Sequence, residues 1–203
     1  MNYHFDILAP FYDGAIPPPD PDWLAGLLRL PKDGWLLDAG GGTGRVSALL
    51  RDRVGGLVIS DLSAPMLNKA QAKQVACPVQ ARVERLPFAD GQFDRVVVVD
   101  AMHHFANQSL AVIELARMLK PGGRIVIEEP DIRQTRVKLM ALGEKLALMG
   151  SHFHTPQHLK LMLIGAGLAA EVVTDGSPSA WIVGDKRHEA DVGMAEAEGE
   201  RPQ

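Results

Sequence analysis

Four segments of the chain are apolar at every position and do not alternate with polar residues. They lie at 35–37, 57–59, 96–99 and 125–127. Continuous apolar runs of this length are typical of strands buried on both faces, as in a parallel sheet. Segments with helical periodicity separate the runs, at 43–53, 64–74 and 109–120. This alternation predicts an α/β fold built around a doubly wound sheet.

The pattern continues with two helical segments and a hairpin. Helices are predicted at 133–149 and 155–165, and strands at 171–174 and 180–183 flank a turn at 175–178. Ahead of the sheet, the proline-rich stretch 16–21 is unsuited to a helix interior or a central strand. Asp22 is predicted to cap a short helix that reaches Leu30. The acidic tail at 187–203 lacks apolar periodicity and is predicted to be disordered.

Composition narrows the class of protein. The chain has 203 residues, 46% of them hydrophobic, and a net charge of −4, which fits one globular domain over 1–186 and disfavours a basic nucleic-acid-binding face. The only cysteine, Cys77, excludes an internal disulfide and fits a reducing compartment. No secretory leader or apolar run long enough to span a bilayer is evident. We therefore expect a cytoplasmic protein, monomeric or homodimeric.

Glycines follow the first apolar run directly. Gly40, Gly42 and Gly44 stand between the predicted strand and helix, where bare backbone lets a ligand approach a helix N-terminus. A nicotinamide-type Gly-x-Gly-x-x-Gly motif would need glycine where Thr43 or Arg45 stands, and a phosphate-binding Gly-Lys-Ser/Thr is absent. The loop predicts a ligand site, the alternative being a glycine-rich turn that holds no ligand.

An acid follows the second apolar run. Asp61 lies about twenty residues beyond the glycines, where a ribose-binding acid is expected in this topology. The alternative is a helix-capping aspartate, although Ser60 or Ser63 can cap the next helix instead. Loop and acid together predict a nucleoside ligand without choosing which one.

Four motifs in order carry a family resemblance. Residues 38–44, Asp61, 86–94 and 119–123 resemble class I S-adenosylmethionine-dependent methyltransferases, in particular the ubiquinone and menaquinone C-methyltransferase group. The resemblance extends from Tyr12 to about Gly184. It implies a seven-stranded, mainly parallel sheet with an antiparallel last strand. It also implies a helical cap at 1–31 and a helical segment at 132–167 on the side of the methyl acceptor.

The resemblance also implies which residues contact S-adenosylmethionine: Tyr12, Asp38, Gly40, Gly42, Asp61, Leu62, Met66, Val83, Glu84 and Asp100. Asp61 would hold the ribose, and Leu62 would pack on the adenine. Tyr12 would lie near the methionine carboxylate or simply pack within the cap. The family usually has an acid at position 82 for the adenine amino group, whereas this chain has Arg82. That departure shifts the adenine contact to the backbone or to Glu84.

Four histidines are candidates for the acceptor side. His103 and His104 follow Asp100 at the carboxyl end of a predicted strand, where open α/β sheets bind ligands. One of them is predicted to act as a base, and His104 is favoured. An unperturbed histidine titrates near pH 6.5, so it can accept a proton at cellular pH. His152 and His154 are predicted to line the acceptor pocket. Packed histidines are the alternative, and the spacing does not indicate a metal site.

The sequence thus predicts methyl transfer from S-adenosylmethionine to a small molecule. Two alternatives stay open: a non-catalytic module that binds the nucleoside, and a nicotinamide-dependent oxidoreductase. No Asn-Pro-Pro-Tyr follows the strand at 96–99, and the family's methyltransferases for nucleobase nitrogens typically carry it. Nucleic acid is therefore not expected as the acceptor. The Met- and Leu-rich segments near 137–149 and 159–163 are predicted to be core, or a lid over an apolar acceptor.

Overall fold

Seven strands and five helices form the described part of the chain. The computed structural model describes residues 18–30, 33–135, 137–138, 142 and 151–188. The strands are β1 Trp35–Ala39, β2 Gly56–Asp61, β3 Cys77–Gln80, β4 Phe93–Val99, β5 Leu119–Pro130, β6 Leu168–Val173 and β7 Ser179–Lys186. The helices are α1 Pro21–Leu28, α2 Ser47–Leu50, α3 Ala64–Lys73, α4 Gln108–Met118 and α5 Pro156–Gly165.

All seven strands belong to one sheet, in the order β3-β2-β1-β4-β5-β7-β6. Neighbouring strands from β3 through β2, β1 and β4 to β5 all pair in parallel. Strand β7 lies between β5 and β6 and is antiparallel to both. This arrangement confirms the predicted doubly wound sheet with an antiparallel last strand. The chain reverses its direction of winding between β1 and β4, and open α/β sheets bind ligands at such a switch point.

The central strands are buried on both faces, as their apolar runs predict. In β4, Val96 and Val98 pack into the core cluster beneath α4 and α5, while Val97 and Val99 pack into the cluster beneath α1 and α2. All four side chains are buried. A strand buried on both faces needs an apolar residue at every position, which explains the absence of alternation.

The structure corrects several predicted boundaries. Asp20, not Asp22, caps α1, because its Oδ1 accepts hydrogen bonds from the backbone N–H groups of Asp22 and Trp23 at 3.0 and 2.7 Å. The helix predicted at 43–53 is shortened to α2 and a 3₁₀ turn at Arg51–Arg53. Gly44 adopts a left-handed conformation with φ 76°, so a helix cannot run through it.

Parts of the predicted organisation lie outside the described residues. These are Tyr12 with most of the N-terminal cap, most of 136–150 and the tail from residue 189. The predictions for those segments therefore stay predictions. Within the described ranges, no helix has both the length and the apolar character that crossing a bilayer requires.

Candidate functional site

A cavity of about 530 Å³ lies at the carboxyl ends of β1, β2 and β4. Its wall is formed by residues 40–42, 60–66, 80–84, 99–101 and 104–106, together with Asp38, Arg45 and Val46. Every described residue predicted to contact the cofactor lies on this wall. The topology therefore brings together residues that are up to 62 positions apart, from Asp38 to Asp100.

The glycine loop presents bare backbone to the cavity. The N–H groups of Gly40 and Gly41 donate to the Ser60 carbonyl at 2.8 and 3.2 Å, which ties the loop to the end of β2. A Cβ on Gly40 would lie 2.7 Å from the Cβ of Ala101. A Cβ on Gly42 would meet no protein atom nearer than 3.9 Å. The space above Gly42 is therefore open to a ligand.

Asp61 joins the loop to the start of α3. Its Oδ2 accepts from Gly42 N at 3.0 Å, and its Oδ1 accepts from Ser63 N at 2.8 Å. The cap of α3 is Ser63, whose Oγ accepts from Met66 N at 3.3 Å. Helix capping therefore does not explain Asp61, and its carboxylate lies on the cavity wall.

Asp38 fixes the other side of the loop. Its carboxyl is buried, and Ser47 Oγ in the first turn of α2 donates to its Oδ2 at 2.7 Å. Burial raises the pKa of Asp38 to about 6, against the lowering effects of the Ser47 hydrogen bond and of Arg45. The contact with Ser47 holds the glycine loop against α2.

Arg45 is a wall residue that the sequence prediction did not assign. Its side chain is 8% exposed, and its guanidinium lies 3.7 Å from Asp100 Oδ2. Asp100 has φ 54°, and its N–H donates to the Glu128 carbonyl at 3.0 Å. The signal in the sequence is a cation directly after the last glycine of the loop. Arg45 and Asp100 place opposite charges side by side at this end of the cavity.

The adenine side of the predicted site is formed by residues after β3. Arg82, Val83 and Glu84 all line the cavity. Glu84 Oε1 accepts from Asn107 N at 3.0 Å, so this carboxylate also steadies the start of α4. Leu62, on the same wall, is 47% exposed, which offers an apolar surface for a planar ring.

His104 lies on the cavity wall within a 3₁₀ turn, Met102–His104. Its Nδ1 lies 3.1 Å from Ser151 Oγ. Burial, and secondarily the neighbouring His103, lower its pKa to about 3. The expectation that this histidine titrates near pH 6.5 is therefore wrong, because desolvation disfavours the imidazolium ion. His104 is neutral at physiological pH.

The other three candidate histidines lie away from the cavity wall. His103 is 2% exposed, and its Nδ1 lies 2.7 Å from Glu129 Oε2. His152 is exposed, and its backbone N–H donates to the His103 carbonyl at 2.8 Å. The ring of His154 stacks on that of His158 with centroids 4.4 Å apart. Catalytic and substrate-binding roles for these residues stay predictions.

Comparison with known proteins identifies the domain. Residues 37–127 match the family model described as a methyltransferase domain. The chain is 37% identical over 112 residues to the ubiquinone/menaquinone biosynthesis C-methyltransferase UbiE of Coxiella burnetii, covering 50% of this chain and 44% of that enzyme. Residues 37–127 are therefore similar to a methyltransferase domain. The sheet order and the antiparallel last strand agree with the fold that the sequence resemblance implies.

A further relative and a solved structure are also similar to the chain. Demethylmenaquinone methyltransferase of Thermus thermophilus is 38% identical over 110 residues, covering 51% of this chain and 49% of that enzyme. The chain thus spans less than half the length of either relative. Geranyl diphosphate C-methyltransferase of Streptomyces coelicolor, solved with S-adenosyl-L-homocysteine, has a TM-score of 0.68 and 16% identity over 82% of this chain and 76% of its own.

The residues on the cavity wall fit the cofactor of this family. The open space above Gly42 lets a ligand lie against the backbone. The Asp61 carboxylate, at the end of β2, provides hydrogen-bond acceptor oxygens on the same cavity wall. Arg45 and Asp100 provide a cation and an anion near each other, which suits a ligand that carries both charges, as an amino acid does. The volume also lies in the range of small-molecule sites.

Gly42→Ala in the methyltransferase domain is expected to abolish binding of S-adenosylhomocysteine while the protein stays folded. The new methyl group would point into the open space that we assign to the cofactor. The measurement is calorimetric titration together with a melting temperature. Gly176→Ala is the matched control, because Gly176 also has a positive φ with nothing within 4 Å but lies in the β6–β7 turn. Unchanged affinity in Gly42→Ala would refute the placement.

Proposed function

We propose that the protein transfers the methyl group of S-adenosylmethionine to a small-molecule acceptor that binds beside His104. The observation that carries this proposal is the continuity of one cavity, with the glycine loop and Asp61 on one part of its wall and the His104–Ala106 segment on another. Bound there, the cofactor supplies an electrophilic methyl group on a sulfonium leaving group.

The glycine loop and its neighbours would hold the cofactor. Gly40 and Gly42 would lie against its methionine portion, near the Arg45–Asp100 pair. Asp61 would accept hydrogen bonds from the ribose hydroxyls while it keeps Gly42 N in place. Leu62 and Met66 would pack on the adenine, and Val83 and Glu84 would border its edge. This division follows the roles that the family resemblance implies for these residues, all of which lie on the cavity wall.

The acceptor side would act mainly by positioning. Because the sulfonium is already activated, the protein has to hold the acceptor atom in line with the methyl group. Neutral His104 can accept a hydrogen bond from the acceptor, and its low pKa makes it a weak base. Its ring then orients a hydroxyl or a carbon acid and receives a proton as the new bond forms. In that state its Nδ1–H would donate to Ser151.

We further propose a cytoplasmic protein that acts on small molecules as a monomer or homodimer. The net charge of −4 argues against a phosphate-tracking surface for nucleic acid. Cys77 is a free, exposed thiol, which suits a reducing compartment. The names of both relatives refer to quinones, and this makes quinones and hydroquinones the first acceptors to try.

The experiment that tests the proposal is transfer of radiolabelled methyl from S-adenosylmethionine to a panel of quinones, hydroquinones, phenols, carboxylic acids, thiols and amines. We expect labelled product and equimolar S-adenosylhomocysteine with one class of the panel. A protein that binds S-adenosylhomocysteine but transfers no label to any acceptor would be the non-catalytic module. A protein that binds a nicotinamide cofactor instead would be the oxidoreductase, and the proposal would fail.

A further inference from the structure

One buried carboxylate holds the Met102–His104 turn from behind. Glu129, near the end of β5, is 4% exposed. Its Oε1 accepts from Met102 N at 2.7 Å, and its Oε2 lies 2.7 Å from His103 Nδ1. A carboxylate can only accept hydrogen bonds, so we expect the His103 proton to be on Nδ1, from where it donates to Glu129. Glu129 thus fixes both the backbone and one side chain of the turn.

The turn is fastened on its other side to residues 151–153. His152 N donates to the His103 carbonyl at 2.8 Å, and the Phe153 ring stacks on the His103 ring with centroids 4.3 Å apart. The His103 ring in turn lies 3.9 Å from the His104 ring, centroid to centroid. The order from the core outward is therefore Glu129, His103, His104 and the cavity.

We propose that Glu129 is a positioning residue for the acceptor side. Through the turn and the His103 ring it sets where the His104 imidazole lies on the cavity wall. Glu129 itself is not among the described residues that line the cavity, so it acts through its neighbours. The inference rests on the function proposed above, since it concerns the histidine that we place beside the acceptor.

Glu129→Gln keeps the size of the side chain and tests this arrangement. The amide oxygen can still accept from Met102 N, but the amide nitrogen then faces His103 Nδ1 and must donate to it. His103 is therefore expected to change from the Nδ1–H to the Nε2–H tautomer, which nitrogen–proton correlation spectra of the imidazoles report. We expect the His104 resonances to shift as well, because its neighbouring ring and its own backbone turn are altered.

Asp94→Asn is the matched control. Asp94 Oδ2 also accepts from a backbone N–H, that of Trp35 at 2.9 Å, and from Lys120 Nζ at 2.8 Å, but it lies at the opposite end of β4. This change is expected to leave the resonances of both histidines as in the wild type. Affinity for S-adenosylhomocysteine should stay unchanged in both variants. With an acceptor, Glu129→Gln should lower kcat by roughly ten- to a hundred-fold with little change in the KM for S-adenosylmethionine.

Two results would overturn the proposal. One is a folded Glu129→Gln variant whose His104 resonances match those of the wild type. The other needs no variant: wild-type His103 in the Nε2–H tautomer would show that Glu129 does not hold this ring. The wild type could show the expected tautomer, and Glu129→Gln the expected shifts, while the wild type binds no S-adenosylhomocysteine. The proposed function would then fail while the role of Glu129 in placing the turn stands.

Discussion

Asp61→Ala is expected to weaken S-adenosylhomocysteine binding by roughly ten- to a hundred-fold or more, because hydrogen bonds to a charged group contribute about 1.5–3 kcal/mol each. The structure adds a second source of loss, since the same carboxylate holds Gly42 N at 3.0 Å. Calorimetry of wild type and variant gives the total effect. A second ligand is needed to measure how much of this loss comes from hydrogen bonds to the ribose.

That second ligand is S-adenosylhomocysteine without its ribose 2′-hydroxyl. If Asp61 binds the hydroxyl, removing the carboxylate and removing the hydroxyl both delete the same interaction. The combined loss of binding free energy is then smaller than the sum of the two separate losses. Ser63→Ala is a useful control, because it removes the cap of α3 next to Asp61 and should cost stability more than affinity. Fully additive losses would mean that Asp61 supports the loop and does not contact the ribose.

His104→Ala is expected to lower turnover by roughly 10²-fold with an acceptor that must lose a proton, because it removes the hydrogen bond that orients the acceptor. Affinity for S-adenosylhomocysteine should hold, because His104 is assigned to the acceptor side. The pH profile carries a further expectation. Burial lowers the pKa of His104 to about 3, so in the free protein the ring is protonated only at about that pH or below. The wild-type rate should therefore show no acidic limb near pH 6.5 from this group.

The control for His104 is His188→Ala, an exposed histidine beyond the end of β7, which should leave turnover unchanged. His104→Gln separates two roles, since glutamine forms hydrogen bonds but accepts no proton. Recovery of turnover in His104→Gln would assign His104 to positioning alone. Turnover near wild type in His104→Ala, with loss in His103→Ala, would contradict the assignment of the two neighbours. An acidic limb near pH 6.5 that His104→Ala removes would contradict the lowered pKa.

The strands of the sheet were predictable where burial on both faces forces a continuous apolar run. The run at 96–99 is such a case, since alternate valines fill the two core clusters. Strand β3 has no continuous apolar run and was not predicted, because Cys77–Gln80 is an edge strand with exposed and half-exposed residues. Only the family resemblance implied a seventh strand. The helix after the glycine loop was predicted to be too long, because local periodicity does not reveal the left-handed conformation of Gly44.

The cofactor side of the site was predictable from sequence because parallel strands align their carboxyl ends. Asp61 is the last residue of such a strand, Gly40, Gly42 and Asp100 come just after one, and the structure places all four on one wall. The pKa of His104 was not predictable, since it depends on burial that the turn and residue 151 create together. Glu129 shows the same pattern as Asp61, an acid at the end of a buried strand, but it was not predicted as a site residue.

The most direct test of the account is calorimetric titration of the wild-type protein with S-adenosylhomocysteine and, separately, with NADH. The account predicts binding of one S-adenosylhomocysteine per chain, loss of that binding in Gly42→Ala, and no binding of NADH. Binding of S-adenosylhomocysteine that Gly42→Ala leaves intact would contradict the assignment of the cavity. Absence of binding in the wild type, or binding of NADH in its place, would contradict the central claim that this cavity holds S-adenosylmethionine.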